Sequence, residues 1–89
     1  MSWHSMILAD LDFIEFRQAF EREYQREMNT GGVRGYTLYG RKREVGDHIV
    51  FVPPEAHHLF AHLPNWNRRL RPLEGMPDLA GCKAVPVRS

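Results

Sequence analysis

Phe13, Phe16, Phe20, Tyr24 and Met28 recur at spacings of three, four, four and four residues. That rhythm draws a single apolar stripe along a helix. Four of the five are aromatic, so the helix needs a broad apolar surface to lie on. The rest of an 89-residue chain must supply it. Asp12 followed by Glu15 has the spacing of a capping box, with Asp in place of Ser or Thr. Gly31, in Asn29-Thr-Gly-Gly32, can take the left-handed conformation that closes a helix.

The surface is predicted from the next segment. Residues 33–41 alternate and read as a strand. Lys42-Arg-Glu-Val-Gly-Asp47 reads as a charged hairpin connection, with Gly46-Asp47 suited to positive φ. His48-Ile-Val-Phe-Val52 is apolar on both faces and reads as the most buried strand. Pro53 ends it. Pro54 and Glu55 suit the first turn of a second helix, which Pro64 stops. Residues 65–89 hold Pro72, Pro77 and Pro86 with Gly75 and Gly81. They predict an ordered loop pinned by Trp66, Leu70, Leu73, Met76 and Leu79. Lys83–Val87 is a candidate strand that Pro86 confines to an edge. Residues 1–9 read as a mobile N-terminus. The expected architecture is one α+β domain, helix–strand–strand–helix–(strand), with an antiparallel sheet packed against the N-terminal helix.

Charge and cysteine content narrow the function classes. Net charge is +1, but residues 1–30 carry −3 and residues 31–89 carry +4. The asymmetry predicts an acidic face and a basic face. A lone Cys82 allows no internal disulfide and demands no oxidising compartment. The apolar run near the start is too short for a signal peptide or a span. A cytoplasmic protein is therefore expected, with no membrane partner.

Candidate chemistry rests on histidines and cations. His58 and His62, four apart on the expected helix, have the spacing of two zinc ligands; no Cys-x-x-Cys or His-Glu-x-x-His accompanies them. Arg41, Lys42 and Arg43 at the hairpin, and Arg68, Arg69 and Arg71 beyond the second helix, have Tyr36, Tyr39 and Trp66 nearby in sequence. Cations with stacking aromatics suit RNA or DNA. Trp, Tyr and Arg also anchor protein interfaces, and a sheet with an open face or edge favours homodimerisation or docking.

Gly35-Tyr-Thr-Leu38 followed by Gly46-Asp-His-Ile-Val-Phe51 resembles the strand–turn–strand of HicA-type toxins. In that family a glycine–aromatic strand leads to Gly-Ser-His-x-x-aromatic. The resemblance covers about a fifth of the chain. It implies an α-β-β-β-α fold like that of double-stranded-RNA-binding domains, and RNA cleavage with His48 as general acid/base. A histidine suits that task because it titrates near working pH. Asp47 stands where the family has serine, the Lys42–Val45 connection is longer, and a helix follows where the family has a strand.

The chain has no paired carboxylates at active-site spacing, no nucleophile with its base and no phosphate-binding glycine loop. The leading expectation is thus a non-enzymatic accessory or inhibitor protein that binds a macromolecule, protein more than nucleic acid. It calls for no cofactor. Its candidate contact residues are Tyr36, Tyr39, Arg41, Lys42, Arg43, Trp66, Arg68, Arg69 and Arg71. The alternatives are the His48 toxin and a metal site at His58 and His62.

Overall fold

The computed structural model describes residues 2–31 and 37–85. Tyr36 and the outer ends of the strands expected at 33–41 and 83–87 lie outside the described residues. One long helix, α1 (Asp10–Asn29), packs on a five-stranded antiparallel sheet. The strands are β1 (His4–Ala9), β2 (Leu38–Lys42), β3 (Asp47–Val52), β4 (Arg71–Pro72) and β5 (Lys83–Val85), in the order β4-β1-β3-β2-β5. The α+β class and the helix-on-sheet packing are those the sequence predicts.

The main departure is at the N-terminus. Residues 4–9 are not mobile. They form β1, an interior strand that pairs with β3 from His4↔Val52 to Ala9↔Asp47 and with β4 at His4↔Pro72 and Ser5↔Arg71. Met6 and Leu8 point to the helix side and are fully buried. With β1 on one side and β2 on the other, β3 is the middle strand of five, as its continuous apolar run requires.

Strand alternation then divides the sheet into two faces. Met6, Leu8, Leu38, Val50, Val52 and Val85 meet Phe13, Phe16, Phe20 and Tyr24 of α1 in the core. Met28, the last member of the stripe, lies beyond the sheet and is exposed. Phe13 needs unusual proximity to β2, and Gly40 grants it. A Cβ there would sit 3.1 Å from Val85 Cγ2 and 3.6 Å from Phe13 Cε1.

Helix α1 begins three residues earlier than the Asp12 capping box predicts. Its cap is Ala9, which has no side-chain acceptor, because β1 runs directly into the helix. At the other end Gly31 has φ 83°, and the Thr30 hydroxyl donates to the carbonyls of Arg26 and Glu27. The β2–β3 turn is tight: Arg43 N–H donates to Asp47 O, Gly46 N–H to Arg43 O, and Gly46 has φ 86°. This matches a three-residue hairpin loop with glycine in the left-handed position.

The second helix is a 3₁₀ helix over Pro54–His62, followed by one α turn, α2 (Pro64–Asn67). It delivers Ala56, Leu59 and Phe60 to the core. Phe60 stacks on Phe16 at 5.8 Å, and Trp66 meets Phe16 edge-on at 5.6 Å. The loop at 73–82 links one sheet edge to the other. Leu73 N–H donates to Trp3 O at 2.9 Å, and Gly81 lies against Arg41, which points away from α1. On that same outer face Phe51 is only 6% exposed. Among the described residues no helix is long and apolar enough to cross a membrane.

Phe20→Ala should cost about 3–5 kcal/mol, and Leu8→Ala about 2–5 kcal/mol, in urea unfolding. The Leu8 result is the sharper check, because truncating a side chain on a mobile N-terminus would leave the midpoint unchanged.

Candidate functional site

The register Ala9↔Asp47 brings the start of α1 against the base of the β2–β3 hairpin. Asp10, the first helical residue, is approached there from two directions. His48 Nδ1 lies 3.2 Å from Asp10 Oδ1, and Lys42 Nζ lies 3.8 Å from Asp10 Oδ2. The His48 ring is stacked flat on Phe13, with centroids 3.9 Å apart and planes 2° apart. It faces the helix side of the sheet and keeps 20% of its side-chain exposure. Beside it Arg43 donates twice to the Asp47 carboxylate, from Nε and Nη2, both at 2.7 Å. Those hydrogen bonds hold the Asp47 carboxyl below its ordinary range against the opposing effect of burial. A forked pair of this kind fixes the hairpin's conformation more than it stabilises the fold.

The two basic clusters of the sequence do not survive as clusters. Adjacent strand residues point to opposite faces, so Arg41 turns to the outer face while Lys42 turns to the helix side and reaches Asp10; Arg43, just past the end of β2, is taken up by Asp47. Arg69 donates to Asp12 Oδ2 at 3.0 Å and lies 5.1 Å above the Trp66 ring. Arg68 reaches Asn65 Oδ1 at 3.4 Å. Arg71 stands opposite Ser5, in the row that continues through Phe51 to Tyr39. Tyr39 packs near Trp3 at 6.2 Å. The described candidates thus fall into three places: Tyr39, Arg41 and Arg71 on the outer sheet face, Lys42 and Arg43 at the hairpin, and Trp66, Arg68 and Arg69 at the α2 corner.

His58 and His62 are carried by a 3₁₀ helix rather than an α-helix. At three residues per turn, positions four apart are rotated by about 120°. His58 Nε2 sits 3.1 Å from both oxygens of Glu27 on α1, and His62 edges the same groove of about 220 Å³. Among the described residues no group of three or more His, Cys, Asp or Glu side chains is placed to hold a metal ion.

Sequence reasoning misses the exposed aliphatic residues around the hairpin end. Leu11 is 78% exposed, Val45 76%, Ile7 52% and Ile14 46%. Leu11 follows Asp10 directly, Val45 is at the hairpin tip, and Ile7 lies two residues before the junction of β1 and α1. A signal was present: Leu11 and Ile14, three apart, fall off the aromatic stripe, and Val45 is the lone aliphatic in a charged turn.

Compared with known proteins, the chain matches no family model, no curated protein and no solved structure.

The Asp47 geometry gives a pH test with a definite sign. A carboxyl held below its ordinary range adds stability above that range and loses it as pH falls through the lowered value. The melting midpoint of the native chain should therefore drop further between about pH 5 and about pH 2.5 than that of Asp47→Asn, and the two curves should converge in acid.

Proposed function

We propose that the chain is a non-enzymatic interaction module of the cytoplasm that docks its hairpin end on a protein partner. The observation that carries this reading is the exposure of Leu11 and Val45 beside the ion-paired groups Asp10, Lys42, Arg43 and Asp47. Protein interfaces combine apolar side chains with polar groups around them, and large aliphatics held in water gain most from being covered.

Two further features support a protein over a nucleic acid. The hairpin cations are already matched by carboxylates, so they offer phosphates little uncompensated charge. Arg69 is likewise committed to Asp12. The sheet edges also disfavour docking by strand addition. β4 is two residues long and ends in Pro72, and β5 carries Lys83; short, charged and proline-bearing edges resist pairing.

A second reading keeps His48 as a general acid/base in RNA cleavage. What supports it is the Asp10 carboxylate at Nδ1, which orients the ring as a catalytic carboxylate would.

The two readings part in one set of variants. Leu11→Asp with Val45→Asp should retain the native melting midpoint and lose cross-linking to the partner that the native chain captures, a second copy of itself included. Capture that survives both changes refutes docking at the hairpin end. Growth inhibition on expression that His48→Ala abolishes would favour the enzyme instead.

A further inference from the structure

Two neighbouring histidines on the 3₁₀ helix face partners of opposite character. His57 stacks on His4 of β1, with ring centroids 4.5 Å apart and planes 20° apart. His58 meets the Glu27 carboxylate of α1. The stacked pair walls a pocket of about 230 Å³ completed by Ser2, Pro54 and Pro72. Parallel rings at this spacing do not converge on a common metal ion, whose bonds to imidazole nitrogen are about 2.0 Å long and lie in the ring planes. The stack tolerates neutral rings and opposes two charged ones.

We propose that His4 and His57 form a proton-operated latch between β1 and the 3₁₀ helix: when both rings are charged the start of the helix leaves β1, while His58 and Glu27 hold its middle on α1, and the pocket between Pro54 and Pro72 opens.

Among the described residues, no carboxylate has a hydrogen bond or ion pair to His4 or His57. From β1 the group facing His57 is His4. From β4 it is Pro72, since Arg71 is in register with Ser5 on the other face. The 3₁₀ helix itself adds His58, a further base, and Glu55, which is exposed. From α1 comes Glu27, which lies against His58. The His57 imidazole is held below its ordinary range, first by burial and then by His4 and His58. The sign follows: a base with a depressed folded value is fully stabilising above the ordinary histidine range, and that stability is lost as pH falls through and below it, because the opened form takes up the proton first.

Amide hydrogen exchange, corrected for intrinsic rates, tests the latch at about pH 7.5 and about pH 5. Residues 54–57 should open more often in acid, by roughly tenfold, while α1 keeps its protection. His57→Phe preserves an aromatic stack without a proton and should abolish the acid-induced opening. Should that variant fold poorly, His4→Gln is the second, with the same expectation. Equal acid-induced opening in the native chain and in a folded variant, or an increase spread evenly over α1 and the sheet, overturns the proposal.

Discussion

The antiparallel pairing of β1 with β3 is the constraint from which the other placements follow. It runs from His4↔Val52 to Ala9↔Asp47 without a break. Because α1 starts at the next residue, that register decides where the helix begins and which hairpin groups it meets. A slip of one residue would turn Met6 and Leu8 outward and Ile7 inward. It would also part Asp10 from His48 and Lys42. The same strand carries β4 on its other side, so the 3₁₀ helix and the loop beyond it are positioned by β1 as well.

The parts of this fold that were legible in the sequence are those with a period. Four aromatics on a helical stripe identified α1 and its buried face. A doubly apolar run identified β3, and Gly46 marked its turn. β1 was not legible because its apolar run, Met6-Ile-Leu8, is short and enters the helix with no turn residue between. The kind of helix at Pro54–His62 was hidden for another reason. Ala56, Leu59 and Phe60 satisfy a three-residue period as well as a 3.6-residue one. The histidine pair was judged on α-helical spacing, whereas a 3₁₀ helix rotates positions four apart by about 120°. Proximity in sequence also misled at Arg41 and Lys42, which strand alternation sends to opposite faces, and at Arg43, which Asp47 binds.

Charge separation along the chain has a use other than two opposed faces. Asp10 and Asp12, from the acidic third, meet Lys42 and Arg69 from the basic remainder. Glu27 meets His58 in the same way. These contacts are at least partly exposed, and such pairs contribute about 0–1 kcal/mol each. They tie α1 to the hairpin, to the α2 corner and to the 3₁₀ helix at three points along its length. The bulk of the stability comes from the buried aromatics and aliphatics, where close packing is felt at the level of a single methylene. Gly40 shows how near that limit is, with Val85 and Phe13 occupying the space a side chain would need.

β1 also separates the two regions to which a role is assigned. His4 is at its start and Ala9 at its end, a length of about 17–20 Å for a six-residue strand. Between them Met6 and Leu8 are locked in the core, and the ladder to β3 is continuous. Loosening at His4 therefore has little purchase on Leu11 and Val45. A signal passed from one end to the other would have to move a packed strand, and packed cores yield in discrete steps or not at all. The acid-sensitive seam has a different neighbour within reach. His57 lies 6.4 Å from the buried ring of Phe60, so opening there leads into the core from the β4 side. The two ends are separate features of one strand: a hairpin end bordered by ion pairs, for which docking is proposed, and a seam whose proposed closure depends on neutral histidines.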